Sequence, residues 1–96
     1  MTAEVVEVPQ VREPGSGLDD NWRVIVLNDD HNTFDGVARA LSQHIPGITL
    51  SHGYAIADTI HNTGRAIVWS GVKETAELYW EQLDQAGLTM APLEQG

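Results

Sequence analysis

The sequence predicts an α+β domain, a small sheet covered by helices, and three observations carry that reading. The run Val24-Ile25-Val26-Leu27 has the length and aliphatic character of a buried strand. It stops at Asn28-Asp29-Asp30-His31-Asn32-Thr33, after which Phe34, Val37, Ala38 and Leu41 follow the i, i+3, i+4, i+7 spacing of a helix. Further on, Gly64 and Gly87 each close a helical pattern and precede a short apolar run, as glycine does beyond a helix C-terminus. The order is strand, helix, helix, strand, helix, strand.

Length and composition bound what this domain can do. Ninety-six residues suffice for one small core, and 42% hydrophobic with 20% charged residues is a globular composition. With no cysteine there is no disulfide framework, thiolate metal site or cysteine nucleophile. The net charge of -9, with five Lys and Arg together, opposes binding to a phosphate backbone. No apolar run approaches the roughly 18 residues that span a bilayer, and the start of the chain is acidic and carries Pro9, unlike a signal or transit peptide. A cytoplasmic protein without a membrane segment is the expectation.

Residues 1–21 alternate briefly at Glu4-Val5-Val6-Glu7-Val8, then run into Pro9, Pro14 and Gly15-Ser16-Gly17, so they read as a flexible arm ahead of a domain over 22–96. Trp22 to Leu27 is the first strand, whose consecutive aliphatics call for cover on both faces. Thr33 suits the N-cap of a helix reaching His44 or Ile45, and Ile45-Pro46-Gly47 ends it. Gly36 inside that helix costs roughly 1 kcal/mol relative to Ala, so it permits close packing or a ligand. Ser51 is the expected N-cap of a second helix, with Tyr54, Ala55, Ile56 and Ile60 inward and Asn62-Thr63-Gly64 as its stop. Ala66 to Trp69 reads as the second strand, and Ser70-Gly71 leads into a third helix with Ala76, Trp80 and Leu83 on one face and Tyr79 at its margin. Leu88 to Ala91 reads as a short last strand that Pro92 confines to an edge or a strand end.

Chemistry gathers between the first strand and the first helix. By composition alone Asn28, Asp29 and Asp30 fit a turn with a helix cap better than the alternative, oxygen acceptors for a cation or an ammonium group. A calcium loop starting at Asp30 fails, because it puts Phe34 at position 5, Asp35 at 6 and Leu41 at 12, where an oxygen, Gly and Glu are needed. No two of His31, His44, His52 and His61 have the four-residue spacing of a helical zinc pair, so no metal or other cofactor is expected. His61, near the end of the second helix, is either an imidazole favoured by the helix dipole or a ligand contact brought in by folding. Trp69, Tyr79 and Trp80 fit core packing better than an aromatic binding box, and Glu74, Glu77 and Glu81 form an acidic helix stripe. An enzyme reading rests only on pairing His61 with Asp29, unaccompanied by a serine motif.

At Leu27-Asn28-Asp29-Asp30 with the Thr33-Phe34-Asp35 helix start, and at Ile60-His61-Asn62-Thr63-Gly64-Arg65-Ala66, the chain resembles the ClpS family. These are adaptors of the Clp AAA+ protease that recognise N-degrons. The likeness continues through Gly71 to Ala76-Glu77 and spans about residues 22 to 94. Ile45-Pro46-Gly47 and the ending from Gly87 to Glu94 are most similar to the cyanobacterial and plastid branch.

The resemblance implies a three-stranded antiparallel sheet with three helices and a non-enzymatic, monomeric adaptor. Such an adaptor binds substrates beginning with Phe, Tyr, Trp or Leu and hands them to a ClpA- or ClpC-type unfoldase, through the unfoldase N-domain, for degradation by ClpP. Carried over by position, Asn28, Asp29 and His61 would hold the substrate α-amino group. Asn32, Phe34, Val37, Ala57, Ile60, Thr89 and Met90 would line the side-chain pocket. Glu74, Glu77 and Tyr79 would face the chaperone, and the N-terminal arm would enter the unfoldase pore. Phe34 stands where many members carry Met at the pocket gate, Ala57 where Met is frequent, Asn32 where Thr is frequent, and Tyr79 where some have Lys. The alternative is an interaction domain resembling the C-terminal domain of the ribosomal stalk protein, which contacts partners through a helix surface and needs no such pocket.

Overall fold

A computed structural model describes residues 21–96, so the arm expected over 1–21 lies, apart from Asn21, outside the described residues. The described chain is built from β1 (Trp22–Leu27), α1 (Phe34–His44), α2 (Leu50–Thr63), β2 (Arg65–Gly71), α3 (Lys73–Gln85) and β3 (Glu94–Gln95). The three strands form one antiparallel sheet in the order β2-β1-β3, with β1 in the centre. No helix among the described residues is long and apolar enough to cross a membrane.

The central position of β1 follows from its sequence. Val24, Ile25 and Val26 are at most 1% exposed, and only a strand paired on both edges and covered on both faces buries three consecutive side chains. Alternation along the strand puts Val24 and Val26 on one face and Ile25 on the other. Val24 and Val26 join Val37, Leu41, Ile45, Ala57, Ile60, Ala76 and Leu83 in the main core, whereas Ile25 is buried away from that cluster. The pairing with β2 carries a bulge: Val24 faces Trp69 and Ile25 faces Ile67, so Val68 has no residue opposite. The extra residue shifts the pattern on β2, burying Val68 while Ile67 stays half exposed.

Each helix end has a chemical cause. The Thr33 hydroxyl accepts from Gly36 N at 2.9 Å, capping α1 as the sequence indicates. The N-cap of α2 is Thr49 rather than Ser51: its hydroxyl accepts from His52 N at 3.1 Å, and Ser51 lies within the first turn. Gly53, Ala57 and Ile60 face inward and Ile56 is half-buried, while Tyr54 and Ala55, expected on the inward side, are exposed. Gly64, at φ 96°, closes α2 in the left-handed conformation that only glycine adopts without cost. α3 follows Val72, whose side chain makes no capping hydrogen bond.

The end of the chain corrects the expectation of a strand over Leu88–Ala91. Leu27 N donates to Thr89 O at 2.8 Å and Ala91 N to Ile25 O at 3.1 Å, around a single bridge between Met90 and Val26. Pro92 supplies no N–H, and regular pairing resumes only at Glu94–Gln95 against Arg23 and Trp22. Trp69 and Tyr79 pack edge to face at 5.1 Å between centroids, and Trp80 Nε1 donates to Ala91 O at 2.7 Å, so these aromatics tie β2, α3 and the last segment together.

Candidate functional site

Where β1 ends, the polar run from Asn28 to Thr33 turns the chain into α1 and leaves a cavity of about 260 Å³. Its walls come from every layer of the fold: Val26 and Leu27 from β1, Phe34 and Val37 from α1, Ala57, Ile60 and His61 from α2, and Leu88 and Thr89 from the last segment. Asn28, Asp29, Asn32 and Thr33 complete one side, so an apolar floor meets a rim of hydrogen-bonding groups.

Asp29 organises that rim. Its Oδ1 accepts from His31 N at 3.0 Å and Asn32 N at 2.8 Å. Its Oδ2 accepts from Asn32 Nδ2 and from Thr89 Oγ1, each at 2.6 Å. The Thr89 hydroxyl, and after it the Asn32 and His31 donors, hold the Asp29 carboxyl well below the usual carboxylate range, against the opposing effect of partial burial. A carboxylate has about four lone-pair positions, and these four donors take them. Asp29 therefore offers the cavity a fixed negative charge rather than a vacant acceptor. Asn32 is a strut as much as a wall, because its Nδ2 also donates to Gly87 O at 2.9 Å. Asn28 N donates to Gly64 O at 2.9 Å, which seats the start of the loop beside the end of α2.

His61 is exposed in the last turn of α2 and meets Phe34 edge to face at 5.3 Å between ring centroids. Phe34 is 42% exposed, at the start of α1. Of the residues that the sequence suggests for an amino group, Asn28, Asp29 and His61 all line the cavity, as do Asn32, Phe34, Val37, Ala57, Ile60 and Thr89 among those suggested for a side chain. Met90 does not: its backbone bridges Val26 and its side chain packs on the core. Val26, Leu27, Thr33 and Leu88 line the cavity without having been singled out. The signal for Val26 and Leu27 was their place at the end of the strand that leads into the polar loop.

A second, shallower groove lies along α3, lined by Glu74, Thr75, Glu77, Leu78, Trp80, Glu81 and Leu93. Tyr79 is not part of it, since its ring is packed against Trp69. The described residues contain no cluster of three His, Cys, Asp or Glu side chains able to hold a metal ion.

Fold and cavity together define a small α+β binding domain with a preformed cleft, apolar at its base and negatively charged at its rim. Comparison with known proteins gives that class a family. The family model described as "ATP-dependent Clp protease adaptor protein ClpS" matches residues 18–94. The ClpS adapter of Thermosynechococcus vestitus is 55% identical over 74 residues, 77% of this chain and 79% of that one. The ClpS adapter of a Nostoc species is also 55% identical over 74 residues, 77% of this chain and 76% of its own. Among solved structures, Agrobacterium tumefaciens ClpS2 bound to L-phenylalaninamide superposes with a TM-score of 0.71 at 25% identity, over 81% of this chain and 99% of that one. The chain belongs to the ClpS family of Clp protease adaptors.

Proposed function

We propose that this adaptor binds the free α-amino group and the bulky apolar first side chain of N-degron substrates, and delivers them to a ClpA- or ClpC-type unfoldase for degradation by ClpP. One observation carries the reading: an apolar cavity sized for a single residue opens beside a carboxylate held in its charged form. At about 260 Å³ it falls below the roughly 300–1,000 Å³ of sites for drug-sized ligands. A first residue needs these two features in this proximity, because its ammonium and its side chain leave the same carbon. Asn28 and His61 supply acceptors at the rim, and Asp29 supplies the opposing charge. The ligand of the Agrobacterium neighbour, an amino-acid amide with a free amino group and a phenyl side chain, supports the same reading.

The magnitudes suit a transient adaptor. Charge-assisted hydrogen bonds contribute about 1.5–3 kcal/mol each and burial of one large apolar side chain about 1.5–3 kcal/mol. Lost translational freedom offsets part of this. A net of roughly 7–8 kcal/mol corresponds to micromolar dissociation. Binding without catalysis is part of the proposal: all four Asp29 hydrogen bonds go to groups other than His61, so Asp29 does not orient that imidazole as a base. The groove bearing Glu74 and Glu77, with half-exposed Leu78, is the proposed unfoldase-facing surface.

Fluorescence anisotropy tests the core of this with three labelled peptides: one beginning with free Phe, the same peptide acetylated, and one with Ala placed before Phe. The first should bind at micromolar concentration and the other two at least about tenfold more weakly, since acetylation removes the charge and Ala leaves the cavity underfilled. Equal binding of all three would reject N-terminal recognition.

A further inference from the structure

We infer that Thr89 is a positioning residue of the amino-group site: its hydroxyl sets the Asp29 carboxylate in place across the cavity. The inference rests on the proposed ammonium-binding reading and adds a residue that acts through Asp29. Three of the four donors to Asp29 are local. The His31 and Asn32 N–H groups and the Asn32 carboxamide lie within three residues of it, and bonds of this kind form in many turns led by an aspartate. Such bonds shape the turn but leave it free to move as a unit relative to the opposite wall. The Thr89 bond comes from 60 residues away, at 2.6 Å, and joins the two walls directly.

Thr89 is itself held by β1. Leu27 N donates to Thr89 O at 2.8 Å, so the strand that launches the Asn28–Asn32 loop also fixes the residue that pins it. The result is a closed ring from Leu27 through Asn28 and Asp29 to Thr89 and back to Leu27. The bond from Asn32 Nδ2 to Gly87 O, at 2.9 Å, braces the same two segments one step further out. Because Thr89 lines the cavity, its β-carbon also sets how closely the wall approaches the carboxylate. The strong lowering of the Asp29 carboxyl below the usual carboxylate range, for which the Thr89 hydroxyl is the leading cause, agrees with this geometry.

Two substitutions separate the hydroxyl from the shape: Thr89→Val keeps the shape and loses the donor, and Thr89→Ser keeps the donor. Anisotropy with the peptide beginning with free Phe, from pH 7 down to pH 2, gives affinity and, below about pH 4, the acid limb that belongs to a carboxyl. Thr89→Val should bind about tenfold more weakly at pH 7 and lose affinity at a higher pH on acidification, because the released carboxylate takes up a proton more readily. Thr89→Ser should recover both to within about twofold. The other ionisable groups of the site, His61 from α2 and Asp30 and His31 from the loop, are common to all three proteins, so the readout assigned to Asp29 is a displacement confined to the limb below about pH 4. Thr89→Ala replaces the Val variant if far-UV circular dichroism shows the latter unfolded. Unchanged affinity and acid limb on loss of the hydroxyl, or a Ser variant as weak as the Val variant, would overturn the inference while the Phe peptide still outcompetes its acetylated form. Equal binding of those two peptides by the parent protein would instead remove the ammonium reading beneath it.

Discussion

Asp29 and Ala57 do opposite jobs in a cavity whose base is made of core residues such as Val37 and Ile60. Asp29 supplies charge that four donors hold in one place, and Ala57, 3% exposed, supplies absence of volume at the base. A longer side chain at 57 points into a space of about 260 Å³ already bounded by Val37 and Ile60. Ala57→Met should therefore narrow the cavity and shift preference away from the bulkiest first residues, lowering affinity for a Trp peptide by about tenfold more than for a Leu peptide. Competition anisotropy with Phe, Trp and Leu peptides measures the ranking, and an unchanged ranking would mean that the ligand does not reach Ala57. The Asn28-Asp29 pair stood out in the sequence because six polar residues interrupt an apolar run. The Asp29–Thr89 bond did not, because nothing in the intervening residues says which hydroxyl will arrive opposite the loop.

Among the elements, the contact of α1 with α2 fixes the cavity width, since each contributes a wall. Gly53 makes that contact close: a β-carbon there would lie 2.7 Å from Ala38 O and 3.0 Å from Ala38 Cα, both backbone atoms of α1. Helix propensity alone favours Gly53→Ala by about 1 kcal/mol, so the sign of the effect is diagnostic. Overpacking against backbone should win, destabilising the fold by about 1–3 kcal/mol and lowering the midpoint of thermal unfolding. A raised midpoint would show that the helices separate without cost. Element types and most boundaries were legible because apolar spacing, Thr33 and Gly64 are local signals. The start of α2 was not, because Thr49 and Ser51 are both competent caps and tertiary placement of the helix chose between them. The last strand misread for a related reason: Leu88 to Ala91 have strand-like residues, yet the lone bridge at Met90 depends on where β1 runs.

For the molecule as a whole, acidity is the condition under which fold and site fail together. The folded state holds the Asp29 carboxyl below its ordinary value near 4, and the bond joining loop to terminal segment weakens once the group is protonated. The folded state thus gains stability that is present in full well above pH 4 and is lost progressively as the pH falls below it. Asp35 behaves in the same sense, its carboxyl lowered first by the Tyr54 hydroxyl and then by Arg39, whose Nε lies at 2.7 Å, but at an exposed position where solvent screens the effect. Urea unfolding at pH 7 and pH 3 should show a loss for the parent protein that Asp29→Asn shares only in part, because the amide is already uncharged. Equal pH dependence in both would place the acid lability elsewhere.

The sequence by itself determined the element order, the central buried strand, the glycine stop after α2 and the polar interruption that becomes the rim. Each of these follows from side-chain chemistry acting over a few neighbouring residues. Tertiary structure decided what those signals could not. It brought His61 beside Phe34, made Asn32 a strut to Gly87, turned Tyr79 away from the α3 groove and set Thr89 against Asp29. The physical reason is that contacts between distant segments depend on the register of β1 against its neighbours and on how closely Gly53 lets the helices approach, and both are properties of the packed molecule.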